Sequence, residues 1–425
     1  MLKILFIDQN FDAVNIGGAF KSNYAIIKEF TKNPNLEVRV LARKTNILKK
    51  KRLSSKQITP ILKTPSKKIN SIIKFFQINQ YFSFFPIFKE IKKFKPNVIV
   101  VQRDLTFSTL LVGFLKKIPI INIIRDPMNL CPKFIDITDG FNNCSEFLIR
   151  KNCWNCINRW RTLRVMLLDK PRGFDRTLRS HVLTLYYKFL YFLTRFHSYL
   201  MKYAFVNIVA SPLMKELIEK KANKSRVVVK KITPIDNSEI IISNKLIDKK
   251  IIDKIENSDK IILFVIPRNE GGSKGYPFVR LLINKLPKDN IVVVVGTLLE
   301  GLNKYDNVVN INQVSTSNLY YLYQKAKVTI VPSIYTEAFG RVILESIMNK
   351  TPVISSPQCG ANKLFKDKAY VKVLPLETNL WLTEIKKLIG NPIIIPDEDI
   401  KRIENDFSPK ECAKELLDVI EKIKY

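Results

Sequence analysis

The chain has 425 residues and 46% hydrophobic content, enough for substantial cores and too much for a disordered chain; its length makes two domains the natural expectation. Lys and Arg number 71 against 38 Asp and Glu, a formal charge of +33, which suits an acidic surface such as anionic lipid or nucleic acid and equally fits the Lys, Ile and Asn bias of an AT-rich genome. With two histidines, His181 and His197, mechanisms needing several imidazoles are excluded.

The opening MLKILFIDQN lacks the charged, apolar and small-residue succession of a signal peptide, and no apolar run reaches bilayer length, so a cytoplasmic location is expected. The run LKILFID reads as a strand, and the loop after it carries Gly17 and Gly18 before an apolar pattern of helical spacing. Similar strands follow at LEVRVLA, NVIVVQ and IPIINIIRD, with helical patterns between them. Such alternation predicts a parallel sheet covered on both faces. A second series of the same kind starts near Lys260 with IILFVIPR and continues through IVVVVGT, VTIVPS, RVILESIMNK and TPVISS. The expected organisation is a domain at residues 1 to 240, a second at 241 to 400, and a final helix at 401 to 425 that starts at Ser408-Pro409.

Glycine is scarce, at 13 residues, so glycine-bearing loops mark places where the backbone needs positive φ or close approach. In VPSIYTEAFGRVILESIMNK a strand ends at Ser333, a loop carries Glu337, and a helix beginning near Gly340 carries Glu345. Ligands of open α/β sheets bind beyond the carboxyl ends of the strands, where a helix N-terminus offers N–H groups to phosphate. The two carboxylates would accept hydrogen bonds from sugar and ribose hydroxyls. The same spacing also fits a solvated stripe of Arg341, Glu345 and Asn349 with an ordinary ion pair. In IILFVIPRNEGGSKGYPF a buried strand feeds a loop with Arg268, Lys274 and Gly275, two cations suited to a leaving diphosphate or, alternatively, a basic turn in a basic protein.

Cys131, Cys144, Cys153 and Cys156 end in Cys-Trp-Asn-Cys. Four thiolates with one close pair suit a structural zinc; disulfides, an iron–sulfur site or unlinked thiols are the alternatives. Cys359 and Cys412 read as packing residues. From Arg150 to Lys202 only Asp169 and Asp175 are acidic, and aromatics crowd TLYYKFLYFLTRFHSYLMKYAF. That stretch fits either a helix lying in a membrane interface or a long core helix with a solvated basic face. The tract RKTNILKKKR at 43 to 52 is a second candidate for lipid head-group contact.

Glu337-Ala-Phe-Gly-Arg-Val-Ile-Leu-Glu345, with Lys350-Thr-Pro-Val-Ile-Ser355, resembles the paired-glutamate motif of glycosyltransferase family 4, retaining enzymes of GT-B fold. Arg268 and Lys274-Gly275 resemble that family's diphosphate-binding pair, and Gly17-Gly18 its N-terminal glycine loop. The resemblance implies two Rossmann-like doubly wound domains facing a cleft, with the last helix crossing back to the first domain. It further implies a UDP- or GDP-linked sugar donor and a glycan or lipid-linked acceptor. In that reading Glu345, with Phe339, Gly340, Gly17 and Gly18, binds the donor, Glu337 meets the transferred sugar, and Arg268 and Lys274 hold the phosphates. No catalytic metal and no specific nucleic acid are expected. Some family members also resemble the cysteine segment. Where many carry a histidine after the strand IPIINII, this chain has Arg125-Asp126 on the acceptor side; Arg125 offers fixed charge but no base. The whole reads as a peripheral protein of the inner membrane face, held by charge on its N-terminal half. The rival readings are a zinc-stabilised nucleic-acid-binding protein and a GT-B sugar epimerase or phosphorylase.

Overall fold

The computed structural model describes residues 1–8, 18–43, 58–62, 83–102, 105–131, 153–156, 176–221, 225–235, 248–266, 272–299, 301–302 and 304–423. Two parallel sheets organise them. The first takes β1 (Leu2–Ile7), β2 (Leu36–Arg43), β3 (Ile58–Leu62), β4 (Val98–Gln102), β5 (Ile120–Ile124), β6 (Val206–Val209) and β7 (Val227–Val229) in the order β3-β2-β1-β4-β5-β6-β7. The second takes β8 (Ile261–Val265), β9 (Ile291–Gly296), β10 (Val308–Asn312), β11 (Val328–Val331), β12 (Val353–Ser355) and β13 (Val371–Val373) in the order β10-β9-β8-β11-β12-β13. Every recorded pairing is parallel, as in β1, whose Ile4 sits between Val38 and Val98. The strands run apolar on both faces because helices cover both, and β4 and β5 are buried along their whole length.

In the first sheet, α1 (Gly18–Phe30) covers one face, and α2 (Phe84–Phe94), α3 (Thr106–Lys116) and α4 (Arg176–Leu200) cover the other. After α5 (Pro212–Lys221) and β7, the chain passes to α6 (Lys249–Glu256) and the second sheet, flanked by α7 (Tyr276–Ile283), α8 (Thr316–Lys325), α9 (Arg341–Met348) and α10 (Thr378–Gly390). Trp381 of α10 is fully buried with its ring 5.2 Å from Phe278.

The chain then returns. Helices α11 (Asp397–Asp406) and α12 (Pro409–Glu421) carry Ile403, Leu416 and Ile420 into one apolar cluster with Ile27 of α1 and Ile343 of α9. Ser408 caps α12 by accepting from the Glu411 N–H at 3.2 Å, and Pro409 occupies the first helical turn, where its missing donor costs nothing. Lys230 reaches Glu415 at 2.6 Å, and the Ile235 N–H donates to the Phe407 carbonyl at 2.8 Å, tying the exit of the first domain to the returning helices. Among the described residues, no helix is long and apolar enough to cross a membrane.

Since Leu416 is fully buried within a core built from both halves, Leu416→Ala is expected to cost about 2–5 kcal/mol. Thermal unfolding should show a lowered midpoint, and amide exchange should rise in α1 as well as in α12. A loss confined to α12 would mean that the returning helix does not hold the first domain.

Candidate active site

Two loops meet at the carboxyl edge of the second sheet. After β8 the chain reaches Gly275, whose φ of +90° belongs to the left-handed region; a Cβ there would lie 1.9 Å from the Pro332 carbonyl oxygen. Glycine is therefore required for the β8–α7 loop to press against the end of β11. That approach delivers Lys274 to Glu337. The Lys274 ammonium donates to Glu337 Oε1 and, at 2.9 Å, to the Tyr335 hydroxyl, with the Tyr335 ring centroid at 4.8 Å. Glu337 Oε2 accepts from Ser333 Oγ at 2.9 Å and from Cys359 Sγ at 3.3 Å.

Burial alone would discharge both partners of this pair. For Glu337, the Lys274 charge and the hydrogen bonds of Lys274, Ser333 and Cys359 outweigh burial and hold the carboxyl below its usual range. For Lys274, burial is likewise outweighed by Glu337, with Tyr335 assisting, and its pKa is raised. Burial first and the Glu337 charge second push the Cys359 thiol up, leaving it a neutral donor. Cys359, which the sequence assigns to packing, thus also holds the carboxylate.

Beyond this pair, Gly340 adopts φ +94° and starts α9. Arg341 in its first turn donates to Ser22 Oγ of α1 at 3.3 Å and pairs with Glu345 at 3.4 Å. Glu345 also accepts from the buried Tyr323 hydroxyl at 3.2 Å. Arg341 and Glu345 line a cleft with Lys21 and Pro234 of the first domain and Thr316, Leu319 and Tyr320 around α8. The i, i+4 ion pair expected of a solvated stripe is therefore present, but it stands in the space between the two domains.

The domains also touch directly. Ser211, just after β6, donates to the Ala338 carbonyl at 2.6 Å. Gly360 lies beneath this contact, where a Cβ would meet Ser211 Oγ at 2.3 Å and the Ala338 carbonyl oxygen at 2.4 Å.

Of the residues singled out from sequence, the structure thus joins Lys274 to Glu337 and places Glu345 in the interdomain cleft. Gly18 opens α1, three residues before Lys21 of the same cleft. Phe339 is buried in the core, its ring 5.3 Å from Phe407, so its side chain supports the loop from behind. Arg125 extends toward the chain leaving β7. It donates to Gln102 at 3.2 Å and to the Ile232 carbonyl at 2.7 Å, while Gln102 and Asn23 both donate to buried Asp8. Asp126 lies half-buried next to it. Gly17, Arg268 and Cys144 lie outside the described residues.

Cys131 and Cys153 are buried and Cys156 is half-buried. Both segments approach α4: the turn Pro127–Leu130 before Cys131 contacts that helix, and Trp154 sets its ring 6.5 Å from Tyr191. Among the described residues, no group of three His, Cys, Asp or Glu side chains is arranged to hold a metal. His197 stacks on Phe107 at 3.4 Å, and burial lowers its pKa to about 3, so it is a neutral core residue.

Sequence reasoning missed Lys21, Ser211, Tyr323, Tyr335 and Cys359. Each reaches the site through long-range packing, which leaves no local spacing signal.

Residues 247–395 match the family model described as Glycosyl transferases group 1. No curated protein sequence matches the chain. Among solved structures, the chain is similar to sucrose-phosphate synthase from Thermosynechococcus elongatus, at 14% identity and TM-score 0.63 over 99% of each chain. It is also similar to a glycosyltransferase from Rickettsia africae ESF-5, at 14% identity and TM-score 0.59, over 99% of this chain and 98% of the other. HepE from Anabaena, in complex with UDP and glucose, gives 13% identity and TM-score 0.59 over the whole of both chains. At these identities the likeness establishes the fold, the two-domain α/β arrangement called GT-B.

Glu337 supports folding above the ordinary carboxylate range and loses that contribution as pH falls through its lowered pKa. Lys274 contributes below the ordinary lysine value and loses it as pH rises through its raised pKa, so the pair is intact across neutral pH. At neutral pH, Glu337→Gln or Lys274→Met is expected to cost about 3–5 kcal/mol by leaving a buried charge uncompensated, whereas Glu337→Leu with Lys274→Met should recover most of the loss. Urea and thermal midpoints of the single and double variants test this, and additive losses would mean that the pair is not coupled.

Proposed function

We propose that the chain is a glycosyltransferase that moves a hexose-type sugar, with retention, from a UDP- or GDP-linked donor in the interdomain cleft onto a glycan or lipid-linked acceptor held by the first domain. The observation that carries the reading is the cleft itself: Glu345 and Arg341 on α9 face Lys21 of the glycine-led α1, at the carboxyl edges of two parallel sheets. The match of residues 247–395 to Glycosyl transferases group 1 and the likeness to HepE, whose structure holds UDP and glucose, support it.

In this reading Glu345 accepts hydrogen bonds from the donor ribose, and the N-terminus of α9 favours the diphosphate. Lys274, kept charged by Glu337, and Arg268 stabilise the diphosphate as it departs. The acceptor oxygen bonds to the anomeric carbon on the face from which the phosphate oxygen leaves, and the acceptor proton passes to that oxygen. No protein base is required. This agrees with a neutral His197 stacked in the core and with Arg125, which cannot accept a proton. Placement on the cytoplasmic side of a membrane belongs to the same proposal. So does a structural zinc on Cys131, Cys144, Cys153 and Cys156, which rests on their number and spacing in the sequence.

A thermal-shift screen across UDP- and GDP-sugars, followed by product analysis with radiolabelled donor, tests the function. Stabilisation by one nucleotide sugar and transfer of label to an acceptor are expected. An epimerised sugar nucleotide or a sugar 1-phosphate as product would replace the reading. Glu345→Ala should weaken donor binding, and Arg268→Ala should mainly slow turnover, by about 2–4 kcal/mol in barrier, because leaving-group charge develops in the transition state. Wild-type donor affinity and rate in both variants would remove the site assignment. Elemental analysis should find about one zinc per chain; metal-free protein with freely titrating thiols would remove the zinc.

A further inference from the structure

Helix α4 is 25 residues long and contains no acidic residue. Its buried positions, including Tyr191, Thr194, His197 and Leu200, account for its packing onto the first domain. They do not account for the opposite side. Leu185, Phe189, Phe192, Phe196, Tyr199 and, in the turn that follows, Tyr203 recur at alternating steps of four and three, which places them along one face of a helix. All are exposed, from 37% at Tyr203 to 67% at Leu185. Helix α3 widens the strip: Leu111, Phe114 and Leu115 are exposed, and the Phe114 ring lies 4.7 Å from Tyr203. A continuous apolar strip of this size is unusual on a surface that meets only water.

Charge indicates the occupant. Lys116, Lys117, Lys188, Arg195 and Lys202 flank the strip, and no Asp or Glu falls in residues 105–125 or 176–215. Lys202 Nζ stands 3.6 Å from the Tyr199 ring centroid, and Lys116 Nζ 4.3 Å from that of Phe88, so these ammonium groups border the aromatic surface. A second copy of the chain docked on the strip would set like charges against one another. An anionic lipid surface complements the strip in both respects, taking rings into the acyl boundary and ammonium groups among the head groups.

We propose that the exposed face of α4, with the end of α3, is a membrane-docking surface that inserts its aromatic side chains into an anionic lipid interface. Orientation follows from connectivity. Phe107 at the start of α3 meets His197, and Phe114 near its end meets Tyr203, so α4 runs parallel to α3, and both descend from the carboxyl edge of the first sheet. The earlier turns of α4, about 30 Å of helix, continue beyond the level at which α3 begins. The strip therefore extends past the sheet edge that faces the cleft, on the face opposite α12. This deepens the membrane part of the proposed function and rests on that reading only for its use, which is to hold a lipid-linked acceptor beside the cleft.

Co-sedimentation of the full chain with vesicles of phosphatidylcholine mixed with phosphatidylglycerol tests the surface, with pure phosphatidylcholine vesicles as control. The chain should bind the mixed vesicles, bind the neutral ones much more weakly, and stay partly bound in high salt because the anchoring is partly apolar. Phe192→Ser with Phe196→Ser should reduce binding by about tenfold or more, and Lys116→Gln, Lys117→Gln and Lys202→Gln together should weaken it and remove its preference for anionic lipid. Thermal midpoints and nucleotide-sugar binding in the absence of lipid should be unchanged in both variants. A chain that binds no vesicles, is fully released by salt, or retains wild-type binding after the Phe192 and Phe196 changes would overturn the proposal. A shift from dimer to monomer in the serine variant without vesicle binding would assign the strip to a second copy instead. Because nucleotide-sugar binding is measured without lipid, failure of the docking surface leaves the catalytic reading standing, and loss of sugar-nucleotide binding leaves the docking surface standing.

Discussion

The ion pair of Lys274 and Glu337 is the constraint from which the arrangement of the second domain's edge follows. Two charges removed from water cost several kcal/mol each unless the geometry and the remaining hydrogen bonds compensate them. Compensation needs Ser333 and Cys359 on one carboxylate oxygen and Tyr335 on the ammonium; Ser333 and Tyr335 share one stretch of chain, Cys359 comes from a second and Lys274 from a third. The loop after β8, the loop after β11 and the turn after β12 are therefore fixed against one another by a single polar cluster. Gly275 permits the first contact through its approach to Pro332, and the Glu337 backbone continues the tie by donating to the Gln358 carbonyl at 2.9 Å.

A fixed edge is what allows the two domains to meet at a defined place. The carbonyl of Ala338, one residue beyond Glu337, receives Ser211 from the first domain, and Gly360 leaves room for both. Arg341 makes a second connection to Ser22 while pairing with Glu345, so the carboxylate that faces the cleft is oriented by a side chain already committed to the opposite domain. On the far side, Lys230 with Glu415 and Lys231 with Asp406 attach the exit from β7 to the returning helices. Contacts thus lie both at the cleft and at the crossover, and the polar row Asp8, Gln102 and Arg125 connects the strand ends of the first sheet to Ile232 in that crossover.

The long apolar strands were legible in sequence because strands buried on both faces are uninterrupted, and the helix starts at Gly340 and Ser408 were legible because glycine and serine there serve local geometry. Three edge strands were not. Val227–Val229 and Val371–Val373 are three residues long and Val308–Asn312 is interrupted by Asn310, so pairing rather than composition defines them. In the site, Glu337, Glu345 and Lys274 stood out by spacing and glycine company, but the sequence held no sign that Lys274 and Glu337 contact each other across 63 positions. It equally could not separate the supporting role of Phe339 from a ligand contact, because a residue inside a motif is marked by its neighbours whichever way its side chain turns. Arg125 illustrates the same limit: its place after β5 could be read, while its partners lie in the crossover.

The basic aromatic segment left two readings open, and the helix satisfies each on a different side. Tyr191, Thr194, His197 and Leu200 turn inward, where His197 lies flat against Phe107 and is kept neutral by burial. Periodicity alone assigns one apolar face to the core and leaves the rest to solvent; here aromatic residues occupy both sides, so composition blurred what exposure separates. The two faces of the first sheet consequently differ in what they can do. One is sealed by α1 and the returning helices into a core shared with the second domain, which couples it to the cleft. The other meets the second domain at Ala338 and, through α5, at the turn Gly360–Phe365, and it also carries the basic, aromatic side of α3 and α4.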